Sequence, residues 1–252
     1  SKKKSFNYYF FYNNSHFLVF VWLISQTLGY TSAFKLFLNI FKPSMSPATS
    51  SSFKHLNKKS QLVIENTNPK ETIEGLQVGF SVEEMANRVE GILKSIGLVE
   101  NFAPLVYVVG HGATSVNNTH FAGYDCGACS GRPSSVNAKV LSFAANHVKV
   151  REILAERGIV IPAETHFLPA LHDTTRDEIV FYDEELLSVV NTFSHKENSK
   201  TFTNALTNNA KERSRRFDTI NSSESISKVH DKIKNRSVLL FEPRPELNHA
   251  TN

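Results

Sequence analysis

Pro104-Leu105-Val106-Tyr107-Val108-Val109 is a continuous apolar run, and Gly110-His111-Gly112 ends it abruptly. The run is rich in β-branched residues, which suits a strand buried on both faces, as in a parallel sheet. Polar Thr114, Ser115, Asn117 and Asn118 follow. In open α/β sheets, sites form just past the carboxyl ends of strands, so His111 stands where chemistry is expected.

Working outward, Ser81-Val82-Glu83-Glu84 reads as a capping box. Ser81 can close the helix N-terminus while Glu84 reaches back to it. Val82, Met85, Ala86, Val89, Ile92, Leu93 and Ile96 then repeat with helical period, and Gly97 is the natural stop. On the other side, residues 137–143 and 150–157 read as helices. Residues 165–172 and 178–182 read as neighbouring strands joined by the polar turn Asp173-Thr174-Thr175-Arg176-Asp177. A further helix is expected over 204–220 and a last strand over 237–241.

Four segments follow from this pass: an aromatic-rich helical stretch at 1–43, and a polar linker or insertion at 44–78 with a short apolar break at 61–64. Then come an α/β core at 79–190 and a truncated helical extension at 191–252. The fold expected is α/β, a mostly parallel sheet with flanking helices, incomplete in this chain. There is no internal repeat.

The chain has 252 residues, enough to bury one substantial core or two modest ones, and its 40% apolar and 21% charged residues argue against wholesale disorder. The net charge of +4 is spread along the chain. Its densest basic cluster, Lys211, Arg213, Arg215 and Arg216, reads as a solvated helix face, and nucleic acid is not an expected partner. Phe17-Leu18-Val19-Phe20-Val21-Trp22-Leu23-Ile24 is strongly apolar, but Ser25, Gln26, Thr27 and Gly29 dilute it. A spanning helix needs about 20 mainly apolar residues, so this one is expected to pack against protein or lie along a membrane surface. The start at Ser1 and an end without a helix stop read as an internal piece of something longer.

Only two cysteines occur, Cys126 and Cys129, which suits a reducing compartment better than a disulfide scaffold. They lie in a stretch, 110–131, dense in Gly, His, Asn, Asp and Cys, and a loop of that length after a buried strand is usually functional. On the residues alone, four readings stay open. The first is a metal site built from His111 and one or both cysteines; imidazole and thiolate suit zinc, which takes four ligands. The others are a redox Cys-x-x-Cys, a cysteine nucleophile with His111 or His120 as base, and small buried cysteines without chemistry.

Gly110-His111-Gly112, Asn117-Asn118 and Asp125-Cys126-Gly127-Ala128-Cys129 resemble the signature of the DabA family of inorganic-carbon transporter subunits. Gly79-Phe80-Ser81, Asn101-Phe102-Ala103-Pro104-Leu105, Arg157-Gly158-Ile159, His172-Asp173-Thr174-Thr175-Arg176-Asp177 and Arg244-Pro245-Glu246 agree with it. Ser130 to Ser135 replaces a more glycine-rich run, and Lys139 stands where the family is expected to carry Arg.

The resemblance implies a β-carbonic-anhydrase-like site in which Cys, Asp, His and Cys hold Zn²⁺. Its last two ligands fall on His111 and Cys126. The first two, with an Asp–Arg dyad, belong to a Cys-x-Asp-x-Arg motif that this sequence does not contain and that is expected upstream of Ser1. No catalytic residue is therefore assigned within the chain. Zinc lowers the pKa of a bound water to about 7, which prepares it to attack CO₂. Asn117, Asn118, His120 and Asp125 are candidates to tune the metal through hydrogen bonds. The resemblance also implies a membrane partner, DabB, of the cation-antiporter kind. It further implies bicarbonate as the trapped species and a peripheral place on the cytoplasmic side of the inner membrane. The alternatives are a module that zinc only braces, a soluble carbonic anhydrase, or a thiol enzyme.

Overall fold

The computed structural model describes residues 18–41, 62, 64–68, 72–113, 133–217 and 219–236. Asn117, Asn118, His120, Asp125, Cys126 and Cys129 lie outside the described residues, as do the strand expected at 237–241 and the motif at 244–246.

Helix α1, Leu18–Phe41, ends just before Pro43, whose ring disfavours continuation. Trp22, Tyr30, Phe34, Phe37 and Phe41 on it are exposed. Among the described residues no helix is long and apolar enough to cross a membrane. Inside the stretch expected to be linker, β1 (Thr72–Ile73) and β2 (Leu76–Gln77) form a small antiparallel hairpin. Its two-residue turn holds Glu74 and Gly75 at positive φ, the geometry that matches strand twist.

Just after the apolar break at 61–64, Glu65 forms an isolated parallel bridge with Phe80. Phe80 N–H donates to the Ile64 carbonyl at 2.7 Å, and Asn66 N–H donates to the Phe80 carbonyl at 2.9 Å. Gly79, at φ +74, lets the two segments meet, since a Cβ there would stand 2.6 Å from the Ile64 oxygen.

Helix α2, Val82–Ser95, has the capping box that the sequence announces. Glu84 N–H donates to Ser81 Oγ at 3.2 Å, and Ser81 N–H donates to Glu84 Oε2 at 2.8 Å. It buries Met85, Ala86, Val89 and Leu93. Strand β3 is Leu105–Gly112, followed by α3 (Ser135–Asn146), α4 (Val148–Glu156) and β4 (His166–Asp173). Then come β5 (Glu178–Phe181), α5 (Val189–Arg213) and α6 (Ile226–Arg236).

β3, β4 and β5 form one sheet in that order. β3 and β4 run parallel, from Leu105 opposite His166 to Gly112 opposite Asp173. β4 and β5 run antiparallel. The expectation of a mostly parallel sheet is thus corrected for the described strands to one parallel and one antiparallel pairing. The reason is the connection: a hairpin turn suffices for antiparallel strands, whereas a parallel crossover takes about a dozen residues or more. The architecture is α/β, with small sheets and flanking helices.

Alternation along the strands gives the sheet two different faces. Val106, Val108 and Phe167 pack with Met85, Val89, Val150, Leu154 and Ile159 in one apolar cluster. Leu105, Tyr107, Leu168, Ala170, Ile179 and Phe181 pack with Leu187 and with Phe202 of α5.

Helix α5 begins at Val189, well before the expected 204. Ser188 caps it, accepting from Asn191 N–H at 3.2 Å. Its buried positions include Asn191, His195 and Arg213, so its inward side carries no apolar period to read. Thr192, Thr203 and Thr207 donate their hydroxyls to carbonyls four residues back, which keeps these β-branched residues compatible with the helix. Helix α6 closes the layer, burying Val229 and Ile233 with Ala210, Phe217 and Ile220.

Candidate functional site

His111 sits one residue before the end of β3, half-buried. Among the described residues its ring nitrogens meet no hydrogen-bond partner. Two glycines flank it for steric reasons. A Cβ on Gly110 would lie 2.5 Å from the Ser134 carbonyl oxygen, and one on Gly112 would lie 3.3 Å from Leu171 Cδ1. A side chain at 110 would thus force the strand away from the start of α3, while one at 112 would ask Leu171 to shift by a few tenths of an ångström.

The chain leaves the described residues after Ala113 and re-enters them at Pro133. On re-entry, Ser134 N–H donates to the His111 carbonyl at 2.9 Å. Ala113 and Ser134, the described residues on either side of 114–132, therefore both lie near the His111 backbone. Lys139, on the first turns of α3, is buried and pairs with Asp183 at 2.7 Å.

Beside His111 lies a second polar group. The β3–β4 ladder sets His172 opposite His111 and Asp173 opposite Gly112. Thr174 N–H donates to the Gly112 carbonyl at 2.8 Å, which extends the ladder into the turn. Asp173 Oδ1 accepts from Thr175 Oγ1 at 2.8 Å and from Thr175 N–H at 3.2 Å, the local bonding that makes Asp a turn former. Asp177, in the left-handed region at φ +51, is 1% exposed and ion-paired with Arg213. Its Oδ1 accepts from Asn209 at 2.7 Å, and Arg213 also donates to the Thr174 carbonyl at 2.7 Å. His230 of α6 bonds the Arg176 carbonyl at 3.0 Å. The turn at 174–177 is therefore held by both α5 and α6.

Burial pushes the His172 imidazole below its usual pKa, against the pull of Asp177 and Asp173. Burial likewise lowers the Arg213 guanidinium, with Asp177 opposing it. His172 Nε2 is shielded from solvent, has no hydrogen-bond partner among the described residues and stands 3.9 Å from Asp177 Oδ1.

Of the two expected metal ligands, His111 is described and Cys126 lies outside the described residues. Among the described residues no three of His, Cys, Asp and Glu cluster closely enough to hold a metal. The pairing of Asp177 with Arg213 is not announced by the sequence. Arg213, read as part of a solvated basic face, is buried, while Arg215 and Arg216 of the same cluster are exposed. The acid that pairs with it lies 36 positions away, so no local pattern marks it. A cavity of about 600 Å³ lined by His147, His166 and Asp183 opens near the amino end of β4, away from these groups.

Residues 2–252 match the family described as "Probable inorganic carbon transporter subunit DabA". A protein of that name from Azotobacter vinelandii is 59% identical over 96% of this chain and 29% of its own length. One from Nitrosospira multiformis is 55% identical over 94% of this chain and 26% of its own length. One from Methylococcus capsulatus is 41% identical over 69% and 16%. The chain thus spans under a third of the length of these relatives. No solved structure matches it.

Proposed function

The chain belongs to the DabA family, and we propose that it supplies part of a zinc site at which a transporter subunit hydrates CO₂ for inorganic-carbon uptake. His111 and Cys126 hold the metal. The donor chemistry fits: imidazole and thiolate are among zinc's preferred partners. The observation that carries the reading is the hydrogen bond from Ser134 N–H to the His111 carbonyl, which brings the chain beyond Cys126 back to the His111 backbone.

Zinc, when bound, supplies a Lewis acid that brings the ionisation of water near neutral pH. This chain's own residues do the positioning. The Gly110 backbone admits the start of α3, Ser134 closes the loop, and the half-buried strand end limits water around His111. The two further ligands implied by the family resemblance, and the Asp–Arg pair, are not among these residues. We assign them to the length that the relatives have and this chain does not span. The carbonic-anhydrase-like form of the sheet belongs to the same proposal. So do the membrane partner DabB, the product bicarbonate, and a peripheral position on the cytoplasmic side of the inner membrane.

The test is uptake of labelled inorganic carbon by cells that depend on the full-length protein, with zinc measured on the purified product. His111→Ala and Cys126→Ser are expected to abolish both, while Cys129→Ser keeps both. Full uptake by a zinc-free protein would refute the reading.

A further inference from the structure

His172 shares a level and a face with His111, because the two are register partners on adjacent parallel strands spaced about 4.8 Å apart. Its Nε2 is shut off from solvent and unpartnered among the described residues, 3.9 Å from Asp177 Oδ1 and so beyond hydrogen-bond range. Asp177 is not free to close that gap. One of its oxygens accepts from Asn209, the other from Arg213, and Arg213 is itself tied to the Thr174 carbonyl. The Asp177 cluster therefore backs one side of the ring. The side chain is nevertheless 30% exposed, so the part of the ring that meets solvent is not the Nε2 edge.

We infer that His172 is a second imidazole of the site, whose Nδ1 hydrogen-bonds an oxygen of the inorganic-carbon substrate beside His111. The inference rests on the zinc reading above and adds a substrate contact that is not a metal ligand. Bicarbonate suits the position: it is small, planar and rich in acceptor oxygens, and an N–H beside the metal's imidazole ligand can hold one of them. Asp177, Asn209 and Arg213 act through His172 as positioning residues, and their connection to α5 ties substrate contact to that helix.

The experiment is calorimetric titration of the zinc-loaded full-length protein with sodium bicarbonate, alongside zinc content and thermal melting. A hydrogen bond to a charged group is worth about 1.5–3 kcal/mol, so His172→Leu should weaken bicarbonate about tenfold or more. Zinc stoichiometry should stay at the wild-type level. His172→Asn, which keeps an amide N–H near the Nδ1 position, should bind within about threefold of wild type. His172→Gln, which places its amide near Nε2, should not be rescued. If the leucine variant fails to fold, the asparagine–glutamine contrast decides alone. Unchanged affinity in His172→Leu, loss of zinc with it, or glutamine binding better than asparagine would each overturn the inference. His111→Ala separates the two layers. Its loss of zinc supports the parent reading, and full retention of zinc would remove that reading and this one with it.

Discussion

The two faces of the three-stranded sheet are held by different chemistry. Toward α2, α3 and α4, most contacts are apolar, Val106, Val108 and Phe167 meeting Val89, Val150 and Leu154, and the polar links are few, chiefly Asn146 on the Phe167 backbone and the Lys139–Asp183 pair. Toward α5, an aromatic patch is joined to polar links. The Tyr107 hydroxyl lies 3.0 Å from His195 Nδ1, His195 Nε2 lies 3.1 Å from Glu184, and Arg213 pairs with Asp177. Apolar packing is non-directional and tolerates small shifts, whereas buried polar links fix register and fail abruptly when one partner goes. The groups nearest His111 are on the polar side, so the directional face is the one that holds the proposed site.

That contrast can be broken most severely at Arg213. Removing one partner of a buried pair leaves an uncompensated charge and costs about 3–5 kcal/mol. Arg213→Ala in the full-length protein should therefore release hydrogen-exchange protection in α5 and the 174–177 turn, with α2 and α4 keeping theirs. Uniform loss across both faces would mean that they unfold as one unit. On the apolar face, Leu154→Ala should cost about 3 kcal/mol through the cavity it leaves. Its exchange should rise first in α2 and α4.

The same contrast governs how much the sequence alone could reveal. Helix α2 was legible because its capping box and its apolar period are both local. β3 was legible because it is an unbroken apolar run with a glycine-marked end. His111 followed from its place at that end. Arg213 was not legible, since its lysine and arginine neighbours mimic a solvated face and its partner, Asp177, is distant in sequence. The start of α5 was missed for the same reason: Asn191 and His195 face inward, so no hydrophobic period appears. The 72–77 hairpin has strands too short to show alternation. The donors proposed for zinc were read from residue type and family resemblance, and of the two only His111 is among the described residues.

Smaller effects sharpen the comparison. Tyr107→Phe keeps the aromatic packing and loses one hydrogen bond to His195, an expected cost of about 1 kcal/mol. It should raise exchange near His195 in α5 without touching α2. The smallest effect concerns protons. Burial lowers the pKa of His166 and of His172, at the two ends of β4. The unfolded chain then takes up protons first as pH falls through about 6.5. Stability that is fully present above that pH is lost as pH falls toward the lower folded values. Denaturation midpoints measured from pH 7.5 to 5.5 should fall with pH, and His166→Gln should flatten the slope.

The central claim, that His111 and Cys126 hold zinc, is tested most directly by X-ray absorption at the zinc edge of the full-length protein. The account predicts a mixed first shell, with sulfur at about 2.3 Å and nitrogen or oxygen at about 2.0–2.2 Å. Cys126→Ser should diminish the sulfur shell or empty the site, and Cys129→Ser should leave the spectrum unchanged. A sulfur-free shell, or a spectrum that Cys126→Ser does not alter, would contradict it.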